Sequence, residues 1–408
     1  MLIKGSSPNS TRNKGTKPFT RPLSLIERGY LVYDRMAPPL VNQMVIEGEG
    51  ELDLTRLRSA VQIASLANPG SRLVLRGCLG GCHWVDSGKT PPVKEMDGNS
   101  WDGLSPDGAP ILKESLYPAK GPTCEVLLMH GNPKRVVFRS HHAVMDGRGT
   151  MVWAEDVFRI LKGEDAIGSN STLTEFEIAK NARKGERETF PRDSLSITGE
   201  AKGFTPGVVW LRRRVQGQFP NLLSQVAILL AREARRHGDG NVLFSIPIDL
   251  RSRFPKLRAT NNLTSGFFIE VKPEADPRKL TAMIAKKIHE QCDLTVGKWD
   301  HLFHYVPLWL LRMGAWAEAL YLLYSGNHSY SGMISAVGKV NLDLFSCTKF
   351  QPRLVFFIPP SLVVTPLMVI SESGGGIDLS FSMPRVLASG GRIEEVMDRV
   401  VSGLEGRD

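Results

Sequence analysis

Two adjacent histidines, His141 and His142, stand at the end of the apolar run Val136-Val137-Phe138 and are followed by Asp146 and Gly147. A histidine exchanges a proton near neutral pH because its ordinary pKa is about 6.5, so either ring suits removal of a proton from an amine or hydroxyl. Neighbouring side chains on a strand point to opposite faces, which sends one imidazole toward the core and the other toward a cleft. Asp146, four residues after His142 and beside a glycine turn at Gly147, is placed to fix the loop by pairing with a cation from elsewhere. No nucleophile accompanies them. Neither Ser140 nor Cys124 sits in a sharp glycine elbow, so a covalent mechanism is not indicated. Metal binding by His141, His142 and Asp146 is the sharper rival; adjacent strand residues diverge, however, and one carboxylate more leaves too few convergent donors, so no metal is expected. By composition alone such a cluster is more often structural than catalytic.

The elements that must hold this segment are legible on both sides of it. Apolar runs at 124–130 and 135–138, joined by Gly131-Asn132-Pro133-Lys134, predict a hairpin whose second strand feeds into His141. Val152, Trp153, Val157, Ile160 and Leu161 then recur at helical spacing, which predicts a helix packed back on the sheet. Earlier in the chain, Ser24 caps a helix after Arg21-Pro22-Leu23, residues 40–47 and 71–76 read as strands, and 54–67 reads as a helix. Residues 86–107, rich in Gly, Pro, Lys and Asp, read as loop. The polar stretch 168–205, most charged at 180–188, marks a boundary between lobes. A second cycle follows: strand 208–215, helix 221–236, strand 242–248 and helix 279–292, the last opened by Asp276-Pro277. Residues 306–324 are the most hydrophobic stretch; at 19 residues, interrupted by Arg312 and Glu318, it reads as a buried or cleft-lining helix, with a membrane-skimming helix as the minority option. Strands at 333–337, 354–358, 367–372 and 377–383 and a helix at 393–404 complete a mixed α+β chain of two similar lobes.

With 408 residues, 42% hydrophobic and 23% charged, the chain is globular and too long for one ordinary core. Residues 1–20 form a basic tail without an apolar leader region, so a cytoplasmic protein is expected. The net charge of +9 favours acidic partners. No zinc-finger spacing or aromatic-interleaved basic repeat occurs, and nucleic acid is not expected. Five scattered cysteines argue against a disulfide framework. Cys78, Cys82 and His83 are close together but lack a second paired cluster, so local packing explains them better than zinc.

His141-His142-Ala143-Val144-Met145-Asp146-Gly147 resembles the His-His-x-x-x-Asp-Gly motif of the condensation-domain and chloramphenicol-acetyltransferase-like acyltransferase superfamily. Arg21-Pro22-Leu23-Ser24 is similar to that family's opening segment, residues 246–251 to a segment ending in arginine, and Thr260-Asn261-Asn262-Leu263 to the asparagine segment after it. Ser335-Ala336-Val337-Gly338 resembles a Ser-Asn-x-Gly loop, with alanine in the asparagine position. The resemblance implies two acetyltransferase-like lobes, 21–190 and 205–408, arranged as a V-shaped pseudo-dimer with a tunnel to His142. It implies that His142 acts on the acceptor, that Asp146 is an orienting carboxylate bonded to Arg251, that His141 and Gly147 are structural, and that Asn262, Ser335 and Gly338 line the cleft. It also implies a phosphopantetheine thioester as donor, on an acyl or peptidyl carrier protein or as coenzyme A, and a small amine or alcohol acceptor. Arg212-Arg213-Arg214 and Arg232, Arg235 and Arg236 are candidate patches for docking an acidic carrier. A free-standing enzyme without permanent cofactor and without membrane contact is expected. Epimerisation, a non-catalytic docking module and lipid or alcohol O-acylation at a membrane stay open as alternatives.

Overall fold

Strand formation in the first half follows from apolar runs bounded by turns, and helix formation from capped amphipathic segments. The computed structural model of the chain describes residues 17–180, 182, 190, 193–203, 205–294, 300–325, 328–362 and 365–407. Most of the basic tail and of the charged run at 180–188 lies outside these residues. In chain order the strands are β1 (Thr20–Pro22), β2 (Val41–Gly50), β3 (Leu73–Arg76), β4 (His83–Asp86), β5 (Val93–Asp97), β6 (Cys124–His130), β7 (Lys134–His141), β8 (Val208–Gln216), β9 (Leu243–Asp249), β10 (Thr264–Glu270), β11 (Gly332–Lys339), β12 (Phe350–Ile358), β13 (Leu367–Ser373) and β14 (Gly376–Pro384). The helices are α1 (Leu25–Asp34), α2 (Leu54–Ala67), α3 (Gly147–Lys162), α4 (Glu175–Lys180), α5 (Leu222–Arg235), α6 (Pro277–His289), α7 (Leu308–Ser325), α8 (Arg385–Ala388) and α9 (Arg392–Leu404).

Two large sheets carry the two halves. The first has the order β12-β2-β7-β6-β5 and the second β10-β9-β11-β13-β14-β8, while β1-β4-β3 form a small third sheet. The α+β class expected from the pattern is thus observed. Strand β7 is the centre of the first sheet, and Val136 and Phe138 face a core that includes Trp153 and Phe158 of α3. Phe138 meets Trp153 edge-on at a centroid distance of 5.3 Å. Val137, on the other face, joins Val45, Phe356 and Trp210 in a separate cluster. Trp210 belongs to β8, so this second face is where the two sheets meet.

Several expectations change. Residues 86–107 contain β5, which pairs in parallel with β6 from Val93↔Val126 to Asp97↔His130; Gly and Pro around it mask a short edge strand. Strand β12 lies in the later half of the chain yet pairs with β2 of the first sheet, from Phe350↔Gly50 to Ile358↔Gln43. The cationic run on β8 is not a free docking patch. Arg212 is buried against Asp378 at 2.7 Å, and Arg214 takes the other oxygen of Asp378 at 2.5 Å. Arg213 pairs with Asp398 at 3.0 Å. On α5, Arg235 donates to the Val271 carbonyl and Arg236 bonds Glu233 at 3.0 Å; Arg232 stays exposed. Helix α7, expected to be buried or to line a cleft, lies on the surface: one side packs on α1, and Trp309, Met313 and Trp316 are exposed. No helix among the described residues is long and apolar enough to cross a membrane.

Candidate active site

Strand β7 ends at His141, which is paired with Val41 of β2. The chain then turns, and the His141 carbonyl accepts from the amides of Val144 and Met145 at 2.8 and 3.2 Å. Four backbone groups of this turn are taken by residues from elsewhere in the chain. The His142 amide donates to the Leu40 carbonyl at 2.9 Å, and the His142 carbonyl accepts from Asn262 Nδ2 at 2.9 Å. Arg21 Nη2 donates to the Val144 carbonyl at 2.8 Å, and Asn42 Nδ2 to the Met145 carbonyl at 2.6 Å. Buried backbone groups need such partners, and here the partners also hold the histidine pair still.

The two rings separate, although only His141 belongs to the strand and His142 already lies in the turn. His141 is fully buried; its Nδ1 accepts from the Ala143 amide at 3.1 Å, which leaves the proton on Nε2, 3.4 Å from an Asp34 carboxylate oxygen. His142 is half-buried, and its ring stacks on Tyr30 of α1 with centroids 4.0 Å apart and planes inclined by 21°. Its Nδ1 is sealed from solvent without a hydrogen-bond partner, so Nε2 is the nitrogen left for a ligand. Burial pushes the His142 imidazole down to about 4, against the opposing pull of the Asp146 charge. His142 is therefore a neutral ring at pH 7.

Asp146 does not touch a histidine. It caps α3, accepting from the Gly149 amide at 2.7 Å. Arg251 bonds both of its oxygens, Nη2 to Oδ1 at 3.0 Å and Nη1 to Oδ2 at 3.1 Å. The Leu263 amide and the Thr264 hydroxyl add bonds to Oδ2 at 2.9 and 3.1 Å. Burial alone would raise this carboxyl, but the Arg251 charge and these donors outweigh it and hold Asp146 below the usual carboxylate range. Arg251 spends its remaining donors on Asp249 and on the Ala259 and Asn261 carbonyls.

Beyond Tyr30 opens a cavity of about 380 Å³, lined by Tyr30, Thr264, Ser265, Phe267 and the Glu175 and Asp293 carboxylates, among others. Glu175 accepts from the Ile26 amide at 3.0 Å. Burial, with the nearby Glu27 charge, pushes its carboxyl up to about 7.

The other residues singled out in the sequence fall differently. Asn262 is buried, not a cleft-facing side chain; its amide ties the His142 carbonyl and contacts Glu27 Oε1 at 3.3 Å. Gly147 opens α3 with no left-handed backbone, and a Cβ there would meet only Phe357, at 3.8 Å. The glycine the turn cannot lose is Gly149, where a Cβ would stand 2.1 Å from the Thr260 carbonyl oxygen. Ser335 and Gly338 lie in β11, paired with β13, instead of in a loop; the register shifts between Ala336 and Gly338, and Gly338 has φ +79°. Arg148 reaches this bulge, donating to the Val337 carbonyl at 2.7 Å.

Two site residues escaped the sequence. Glu27 is fully buried and accepts from Arg21, Trp84 Nε1 and the Ser24 amide; the Ser24-x-x-Glu27 capping box was a visible signal for it. Tyr30 follows three residues later on the same helix face. Nothing local marked it as a partner of His142.

No family model matches the chain, and no curated protein matches it. Solved structures do. It superposes on a double mutant of the starter condensation domain of rhizomide synthetase, in complex with C8-CoA and Leu-SNAC, with a TM-score of 0.64 at 13% identity, covering 95% of this chain and 94% of that one. The condensation domain of Monacolin K polyketide synthase gives 0.62 at 11% identity over 96% and 98%. The epimerization domain from the third module of tyrocidine synthetase B gives 0.58 at 12% over 97% and 98%. The chain has the fold of condensation domains of nonribosomal peptide and polyketide synthetases, along nearly its whole length.

Proposed function

We propose that the protein transfers an acyl group from a phosphopantetheine thioester, on a carrier protein or as coenzyme A, to an amine or hydroxyl. The observation that carries this reading is the clamp on His142: a neutral imidazole stacked on Tyr30, with its own amide and carbonyl both tied down. A neutral Nε2 accepts the proton of the attacking nitrogen or oxygen as that atom bonds to the thioester carbonyl carbon. The C–S bond then breaks, and the leaving thiolate takes that proton back from His142 Nε2, which returns the ring to its neutral form. A thioester is already activated, so fixing the acceptor against its carbonyl supplies much of the rate. Asp146 acts at a distance, by holding α3 and the loop to the 249–264 segment through Arg251. The neighbour that holds C8-CoA and Leu-SNAC supports a thioester donor with an amine acceptor.

The test offers C8-CoA and C8-loaded carrier protein with panels of amines and alcohols, read by mass spectrometry. An acylated product that vanishes in His142→Ala is expected. Full turnover in that variant sinks the role given to His142, and no product from any pairing sinks the reaction class.

A further inference from the structure

Exposed apolar surface is concentrated in one place. Of the sixteen large apolar side chains exposed among the described residues, nine fall between Leu302 and Tyr321, a twentieth of the chain. Helix α7 packs Leu308, Leu311, Ala315 and Ala319 on Val32, Tyr33 and Met36. Its opposite side carries Trp309, Met313, Trp316 and Leu320, at spacings of four, three and four, which places all four in one stripe. Their exposures are 55, 59, 45 and 47%. Isolated exposed apolar residues are ordinary, but a continuous stripe rich in tryptophan marks a surface that is covered in use.

The surroundings of the stripe are cationic. The groove beside Trp309 is lined by Arg35 and Arg312. Ala119, also in that groove, accepts from Arg76 at 2.7 Å, and exposed Lys120 follows it. Of the carboxylates on this side, Asp34 is turned toward His141, 3.4 Å away, and Glu318 lies exposed on the helix. Indole rings prefer the boundary between headgroups and acyl chains, and a basic rim is drawn to anionic headgroups. A second copy docked through the same stripe would bring two cationic rims together, which disfavours self-association.

We infer that the outer face of α7, rimmed by Arg35, Arg76, Lys120 and Arg312, docks the protein on an anionic phospholipid surface, with the helix lying in the plane of the interface. The inference is independent of the acyl-transfer reading, and it reverses the expectation of no membrane contact. The whole chain is floated with vesicles of phosphatidylcholine alone and of phosphatidylcholine mixed equally with phosphatidylglycerol. Expected are flotation with the mixed vesicles, a blue shift of tryptophan emission, and weakening by salt. The double variant Trp309→Ser/Trp316→Ser keeps its circular dichroism and melting point but partitions at least about tenfold less. No flotation with the mixed vesicles overturns the inference. So does unchanged partition in the variant, or a dimer of the natural chain, seen by light scattering, that the variant dissolves.

Discussion

Arg251 lays its guanidinium fork over both oxygens of Asp146, at 3.0 and 3.1 Å, across 105 residues of sequence. Both side chains are buried. Removing one partner of such a pair leaves a charge with reduced compensation, and Asp249 at 2.7 Å offsets only part of it. Asp146→Ala is therefore predicted to lose about 3 kcal/mol of stability. Adding Arg251→Met should recover part of that loss. A denaturant-based double-mutant cycle measures the coupling, and additive losses would remove the pair from the account.

His142→Ala leaves the core intact and should lower turnover by about two to four orders of magnitude with little change in melting temperature. Because the ring is held neutral down to about pH 4, the rate of the proposed acyl transfer by the natural chain should stay level from about pH 8 to about pH 5. A rate that halves near the ordinary histidine value of 6.5 would contradict the burial assigned to His142.

Glu175 behaves in the opposite sense. Its folded carboxyl titrates near 7 while the unfolded one titrates near 4.5. The folded state binds the extra proton between those values, so this contribution is full below pH 4.5 and is lost as pH rises through 7. Glu175→Gln should accordingly be more stable than the natural chain at pH values above 7, and the difference should shrink as pH falls toward 4.5. Chemical denaturation at both ends of that window reads the effect; a difference independent of pH would rule out the assignment.

Gly149→Ala and Gly147→Ala separate steric need from motif membership. A Cβ at 149 overlaps the Thr260 carbonyl oxygen, while one at 147 touches only a ring edge at 3.8 Å. The first should cost at least about 2 kcal/mol and the second less than about 1 kcal/mol. Thermal melts of the two variants decide it, and equal costs would place the constraint elsewhere.

How far the sequence reached depended on the distance over which each cause acts. The Leu54–Ala67 helix came out with its observed ends because apolar spacing is local, and in the structure Asp53 caps it. The β6–β7 hairpin was legible for the same reason, and the loop from His141 to Gly147 carried its own motif. Residue pairs far apart in the chain were another matter. The Asp146–Arg251 pair was named through family resemblance, because no periodicity links positions 105 residues apart. Strand β5 was hidden by the Gly and Pro around it, which signal loop even where a parallel edge partner is available.

Local chemistry in the sequence thus determined most of the elements and the histidine–aspartate loop. Tertiary structure decided what those elements meet: Tyr30 on the ring of His142, Asn262 on its carbonyl, β12 beside β2, and solvent over the outer face of α7. The physical reason is that capping and periodicity act within a turn or two, whereas burial is a property of surfaces brought together from distant parts of the chain. Hydrophobicity alone could not say which side of α7 would be covered. Only the packing of α1 against one side leaves the tryptophan stripe facing outward.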